Sequence, residues 1–100
     1  MPIYPSKETN WSLVPEHIQG ALKRYIDRGL EPGSFLGAVL SNDLIGAVVR
    51  ADAVNKPAIP DIVTFLSLYV PAACWGSKTA YWDWMKRGGL CGSEGADEDE

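Results

Sequence analysis

Apolar side chains recur every three or four positions along most of this chain, and proline or glycine interrupts the pattern at short intervals. The first such segment carries Ile18, Leu22, Tyr25 and Ile26. This spacing follows the turn of an α-helix and predicts one apolar stripe per segment. Because every segment is short, the stripes can be buried only against one another. The pattern therefore predicts an all-α fold.

Prolines, glycines and a serine indicate where the first and the last predicted helices begin and end. Pro15 is expected to open the first helix, since proline at a first helical position loses no hydrogen bond. Gly29 supplies the left-handed residue that ends it. For the last helix, Ser77 is the predicted cap, and the helix runs to about Arg87, where Gly88 follows.

The segment between residues 34 and 52 can be interpreted in two ways. Ser34 is predicted to cap a helix, and the apolar pattern pauses at residues 41–43, where Asn and Asp side chains compete for the backbone. Asn42 could then cap a separate helix. The expected apolar positions are Phe35, Leu36, Val39 and Leu40, then Leu44, Ile45, Val48 and Val49. One bent helix and two short helices both fit, and we favour two.

A further helix is predicted from Pro57 to the region of Pro71. Pro60 is compatible with it if that residue still lies in the first turn. The predicted stripe is Ile59, Ile62, Val63, Leu66 and Val70. Because several of these residues are β-branched, a strand over residues 62–69 is the alternative. The length of the segment and its flanking prolines favour the helix.

With 100 residues the chain is long enough for one domain and too short for two. Residues 1–14 are expected to form an extended arm anchored by Ile3, Tyr4 and Trp11. Residues 15–90 are predicted to form a compact bundle of four to five short helices. Residues 91–100 are predicted to be a disordered acidic tail.

The net charge of −4 is concentrated in that tail, where residues 94–100 contribute five carboxylates. Without these five charges the remainder carries about +1 by the same count. A nearly neutral body lacks the dense basic surface that drives binding to DNA or RNA, so nucleic acid is not the expected partner. The tail is expected to be a solubilising end, and its functional alternative is an electrostatic arm for a basic groove.

The sequence predicts neither catalytic residues nor a metal or cofactor site, and therefore a protein that is not an enzyme. His17 is the only histidine, and Cys74 and Cys91 are the only cysteines. These are too few ligands for zinc and no base stands beside a nucleophile. Phosphate-binding glycine motifs are also missing. Since no apolar run approaches the roughly 20 residues that span a bilayer, we expect no membrane association and a cytoplasmic protein.

The aromatic residues near the C-terminus are the least ordinary feature of the chain. Tyr81, Trp84 and Met85 share one face of the last helix, whereas Trp82 points elsewhere. Trp82 either packs beneath the arm near Trp11 or Tyr4, or it belongs to an exposed patch of the kind that anchors protein interfaces. The candidate partner-binding residues are Trp82, Trp75, Lys23, Arg24 and Arg28.

Four short motifs carry a resemblance to a known group of proteins: PEH at residues 15–17, GLEPGSFL at 29–36, LSNDL at 40–44 and CWGS at 74–77. Over roughly residues 15–87 the chain resembles short uncharacterised helical proteins of temperate phages, prophages and their bacterial hosts. The resemblance carries over no catalytic residue. It implies an accessory product of a mobile element, of the kind that acts by binding a host component in the host cytoplasm.

Three functional hypotheses follow, of which the least favoured, an enzyme, would need a pocket lined by Asp43, Asp52 or Asp61 together with His17. The first is a non-enzymatic, phage-type accessory protein that binds a host protein and inhibits a host process or a defence system such as CRISPR, with a homodimer as a natural extension. The alternative is a nucleic-acid-associated regulator in which residues from Asn42 onward form part of a helix-turn-helix-like pair. Its motivation is the short helices and the basic residues Lys23, Arg24, Arg28 and Arg50.

Overall fold

The computed structural model describes residues 9–91, and within that range it contains five α-helices with both ends described, two 3₁₀ turns, a further helical segment at residues 89–91 and no strand. In chain order these are a 3₁₀ turn at Trp11–Leu13, α1 at Glu16–Arg28, α2 at Ser34–Leu40, α3 at Leu44–Arg50, α4 at Asn55–Tyr69, a second 3₁₀ turn at Ala72–Cys74 and α5 at Lys78–Arg87. The predicted all-α bundle of short helices is confirmed. Residues 1–8 of the predicted arm and residues 92–100 of the predicted tail lie outside the described residues.

Helix α1 has the predicted ends and nearly the predicted buried stripe. It follows Pro15 and ends at Gly29, whose φ of 69° is left-handed and whose N–H donates to the carbonyl of Tyr25 at 2.8 Å. Leu22, Tyr25 and Ile26 are buried, whereas Ile18 is half-buried at the edge of the core. The stripe thus faces the core over the last two turns of the helix.

Helix α2 is the centre of the bundle, because six of its seven residues are buried. The prediction that Ser34 caps it is wrong. Gly33 occupies the capping position, Ser34 is the first helical residue, and no side chain caps this end. With φ at 99°, Gly33 adopts a backbone conformation that residues with a Cβ rarely take.

The pause at residues 41–43 does separate two helices, as favoured from the sequence. Asp43, rather than Asn42, is the cap of α3: its Oδ1 accepts a hydrogen bond from the N–H of Gly46 at 2.9 Å. Asn42 instead takes the left-handed conformation, with φ at 66°, which reverses the chain between α2 and α3. Asn is the residue after glycine that tolerates this conformation best.

The predicted buried stripe of α3 is wrong. This helix buries Gly46 and Ala47, and it turns its four large aliphatic side chains to solvent: Leu44, Ile45, Val48 and Val49. Small residues on the inner side allow the backbone of α3 to lie close to its neighbours. The periodicity was helical, but the face that enters the core is the one with the least apolar surface.

Helix α4 begins two residues earlier than predicted, but most of its predicted stripe is buried: Ile62, Leu66 and Val70 lie in the core, and Ile59 packs against it. Asp52 Oδ1 accepts hydrogen bonds from the N–H groups of Val54 and Asn55, and these bonds stabilise a start at Asn55. Pro60 is therefore the sixth helical residue and lies beyond the first turn, contrary to prediction. It sits on the exposed side of the helix, where the hydrogen bond that it cannot donate is replaced most easily by water.

The core side of α4 is formed by Ile62, Phe65 and Leu66, while the predicted core residue Val63 is 41% exposed. Phe65 was not part of the predicted stripe. Its ring lies 4.6 Å from the ring of Trp11, centre to centre. Trp11 thus anchors the end of the predicted arm on the body of its own chain.

Buried polar contacts join α1 to α5. The indole N–H of Trp84 donates to the backbone carbonyls of Tyr25 and Ile26, at 3.0 and 3.2 Å. The Tyr25 hydroxyl donates to the carbonyl of Cys74 at 2.7 Å. Beside these bonds, the backbone of Gly89 lies so close to residues 27–29 that a Cβ there would be 2.6 Å from the N of Gly29. These contacts, called the α1–α5 junction below, hold the C-terminal end of α5 in place. The N-terminal end of α5 extends to the surface.

Candidate functional site

A surface cleft of about 230 Å³ opens where α2, α3 and the N-terminal half of α5 meet. Its lining combines polar, charged and aromatic residues: Glu31, Gly33, Ser34, Gly37, Ala38, Ser41, Asp43, Arg50, Lys78, Tyr81 and Trp82. The volume falls just below the range of small-molecule pockets and suits one or two inserted side chains.

The side of the cleft toward the core is formed by Tyr81 against α2. An added Cβ at Gly37 would lie 2.8 Å from the Tyr81 hydroxyl, so the glycine is what lets the phenol reach this position. Burial, and then the carboxylate of Glu31, raise the pKa of the Tyr81 phenol above its ordinary value. Tyr81 is thus a neutral hydroxyl at physiological pH, available as a hydrogen-bond donor or acceptor.

One wall of the cleft carries an ion pair that crosses the surface of α3. Arg50 Nη1 lies 3.8 Å from Asp43 Oδ2, and both side chains are about half exposed. The pair passes over Gly46, where any Cβ would overlap both partners. At this distance and exposure the ion pair contributes little to the free energy of folding. Its effect is to hold a guanidinium and a carboxylate together at the cleft wall.

The outer rim is formed by Lys78 and Trp82, which stand one turn apart on α5 and therefore share a face. Trp82 is 55% exposed, and its ring meets the ring of Tyr81 edge-on at 5.9 Å. With Glu31 and Asp43 opposite Arg50 and Lys78, the cleft has two formal charges of each sign. The site is electrically balanced and has an aromatic edge open to solvent.

The candidate partner-binding residues do not converge on one place. Trp82 lies at the cleft, while Trp75 is half-buried against the core and is not part of the lining. Lys23, Arg24 and Arg28 are exposed on α1, away from the lining, and the Lys23 ammonium lies 4.7 Å from the ring of Trp11. Trp82 is 55% exposed, while Trp11 packs on Phe65. The predicted packing of Trp82 near Tyr4 lies outside the described residues.

Sequence reasoning did not assign Glu31, Lys78 or Tyr81 to a site. For Lys78 a signal existed, since it is four residues before Trp82 on a predicted helix and the two must be neighbours on its surface. Glu31 and Tyr81 gave no such signal, because their proximity depends on how α2 packs against α5.

Outside the cleft, acid-base and ligand groups among the described residues form nothing larger than a pair. His17 Nε2 is 3.1 Å from Asp52 Oδ2 in an exposed pair that is not part of the cleft. Cys74 is buried, and burial raises the pKa of its thiol to about 12, which keeps it protonated and unreactive. Among residues 9–91, no three His, Cys, Asp or Glu side chains are grouped to hold a metal ion. Over the same residues, no helix has both the length and the apolar character that crossing a membrane requires.

Comparison with protein-family models, with curated proteins and with solved structures finds no match to this chain. The functional argument therefore depends on the geometry of the cleft and on the chemistry of its residues.

Proposed function

We propose that this protein is a non-enzymatic accessory factor that binds another protein at the cleft around Trp82. The observation that supports this most is the composition of the cleft. An exposed Trp82, a recessed Tyr81 and the guanidinium of Arg50 line one depression. Trp, Tyr and Arg are the three residue types that most often dominate the energy of protein interfaces.

The charges of the cleft favour a protein over a nucleic acid as the partner. Glu31 and Asp43 lie in the same depression as Arg50 and Lys78, so a polyanion would meet repulsion as well as attraction. A folded protein surface, which carries both signs of charge, can complement all four groups. We infer a partner with a protruding apolar or aromatic side chain, flanked by one acidic and one basic residue.

The arrangement of α2 and α3 gives little support to the helix-turn-helix alternative. In that alternative α3 would enter the major groove with polar side chains directed at base edges. The exposed face of α3 is aliphatic, and its one basic residue, Arg50, faces Asp43. A gel shift at low salt, with duplex and single-stranded DNA, should show no retardation.

The biological setting of the proposal comes from the sequence resemblance alone. A phage-type accessory protein would act in the cytoplasm of the host, and its partner would be a host protein, such as a component of a defence system. Occupation of a surface needs no catalytic group.

The proposal is tested by affinity capture from a bacterial host lysate with the full chain and with Trp82→Ala. We expect at least one protein to be retained by the wild type and lost from the variant, since truncating a central Trp typically costs about 2 kcal/mol or more. The captured protein is then purified, and its binding to both chains is measured by calorimetry.

Leu68→Ala is a matched control, because Leu68 is a large exposed apolar residue outside the cleft. It should retain the same protein as the wild type. A chain ending at Cys91 tests the acidic tail separately. Equal recovery of every protein by the wild type and Trp82→Ala would contradict the cleft as the binding site.

A further inference from the structure

The most unusual surface of the molecule is not the cleft but the outer side of α3. Four of its seven residues are large aliphatic side chains directed to solvent, with exposed fractions of 66% for Leu44, 78% for Ile45, 40% for Val48 and 76% for Val49. At 3.6 residues per turn these four fall within an arc of about 140°. With the neighbouring Val63 of α4, they are called the aliphatic face below.

A shallow groove of about 50 Å³ joins α3 to α4 in this face. Leu44, Ala47, Ile59 and Val63 are among the residues that line it. It is larger than the roughly 10–15 Å³ that a single water molecule needs, and its walls are mainly apolar. A branched aliphatic side chain from outside is the natural occupant.

We propose that a second copy of this chain covers the aliphatic face and that the protein is a dimer joined through α3. The exposed fractions of the five residues correspond to roughly 500 Å² of mainly apolar surface. A standard interface buries about 800 Å² per partner, and homodimer interfaces are about 65% apolar. The face is therefore large enough to form the apolar part of one side of a standard dimer interface.

The charges around α3 allow two identical faces to meet. Asp43, at the start of α3, lines both the cleft and the groove, and it is the one charged residue of the groove. It is paired with Arg50 at 3.8 Å in its own chain. A twofold axis through the four aliphatic side chains of α3 would bring aliphatic residues against aliphatic residues and place Asp43 at the edge of the interface. None of the five residues of the aliphatic face lines the cleft, so this dimer does not depend on the proposed function.

The stability of α3 gives an independent reason for a covering partner. A seven-residue helix is far below the length of about 12–15 residues at which isolated helices become even marginally stable in water. Within its own chain α3 buries only Gly46 and Ala47, which contribute little apolar area. A second copy would supply the packing that the larger side chains of α3 lack.

The test is sedimentation equilibrium on the full chain over about a hundredfold range of concentration, because a dimer depends on the concentration of its protomers. The wild type should approach twice the single-chain mass of 10.9 kDa. Ile45→Glu and Val49→Lys should both remain at the single-chain mass and keep the circular dichroism of a helical protein, since each places a charge at a position that the monomer leaves open.

Leu68→Glu is the matched control. Leu68 is 53% exposed on α4 and lies five residues after Val63, about 140° around that helix. This variant should dimerise like the wild type, and so should Trp82→Ala. A wild type that has the single-chain mass at every concentration would overturn the proposal. So would dimers of Ile45→Glu as tight as those of the wild type, or the loss of dimers in Trp82→Ala alone.

Discussion

The junction between α1 and α5 and the helix α3 contribute to this small fold in opposite ways. At the junction, large side chains are buried and their polar atoms bond to the backbone of the neighbouring helix, as Trp84 does to Tyr25 and Ile26. In α3 only Gly46 and Ala47 are buried, and the large side chains face outward. The same helical periodicity therefore produces an internal anchor in one place and an open surface in the other.

The difference shows where stability and function separate in the molecule. At the junction a mutation removes buried area, satisfied hydrogen bonds or a close backbone contact, and each of these stabilises the fold. On α3 and at the rim of the cleft, large apolar groups contribute little to the monomer. Large apolar residues that stay exposed and do not stabilise the monomer are the ones available to bind partners.

The largest effect predicted by this comparison is that of Trp84→Ala. Trp84 is 2% exposed and fills the space between α1 and α5. Its truncation should lower the free energy of unfolding by about 3–5 kcal/mol, a large part of the 5–15 kcal/mol typical of a domain. Val49→Ala, in dilute protein, should change it by less than about 0.5 kcal/mol. Urea unfolding followed by circular dichroism measures both.

Trp84→Phe tests the contribution of the indole hydrogen bonds separately from that of the buried ring. It keeps much of the ring and removes the N–H, so the carbonyls of Tyr25 and Ile26 lose that donor. We expect a loss of about 1–3 kcal/mol in addition to the smaller ring volume. If Val49→Ala were as destabilising as Trp84→Ala in dilute protein, the contrast between the two regions would be wrong.

A second prediction concerns the backbone contact at the same junction. Gly89 and Gly76 both have positive φ, at 72° and 106°, so alanine at either position should cost about 1–3 kcal/mol from backbone strain. Only at Gly89 would the new Cβ also overlap the backbone of α1, whereas Gly76 faces open space. Gly89→Ala should therefore be the more destabilising by about 1–3 kcal/mol. Equal thermal denaturation midpoints would show that the close approach is not part of the fold.

The ends of α1 and α5 were the most predictable part of the fold, because they depend on local backbone chemistry. Pro15 and Gly29 define α1, and the Ser77 hydroxyl caps α5 by accepting a hydrogen bond from the N–H of Ala80 at 3.0 Å. The capping of α3 and α4 was less predictable. Asp43 and Asp52 act there, while the sequence offered several Asn, Ser and Pro residues of similar capping preference.

The buried face of α3 could not be predicted from periodicity. The pattern shows that apolar residues share a side of the helix, but it assumes that this side faces the core. In α3 the close packing of short helices favours Gly46 and Ala47 on the inside. In α4 periodicity correctly predicts Ile62, Leu66 and Val70, whereas the burial of Phe65 against Trp11 and the exposure of Val63 depend on tertiary packing.

In the cleft, Trp82 was identified from the sequence, and Lys78 could have been inferred from its position one helical turn before Trp82. Trp82 could be identified as an aromatic residue outside the main stripe of its helix. Glu31, Arg50 and Lys78 come from three separate parts of the chain, and the turn at Asn42 and the α1–α5 junction bring them together. A sequence pattern does not specify the distances between such segments. A site formed by residues from a loop and from several helix ends can therefore be identified only from the structure.

The smallest predicted effect concerns a contact that lies outside both regions and joins the start of α1 to the start of α4. Hydrogen bonds from the N–H of Asn55, and then from the His17 ring, lower the pKa of Asp52 in the folded chain. Its stabilising contribution is therefore complete above the unfolded carboxyl pKa of about 3.9 and is lost as pH falls through the lower folded value. Asp52→Asn keeps a capping side chain and removes this titration, so its thermal midpoint should fall less on acidification than that of the wild type. Parallel acid profiles for the two chains would mean that Asp52 contributes no pH-dependent stability.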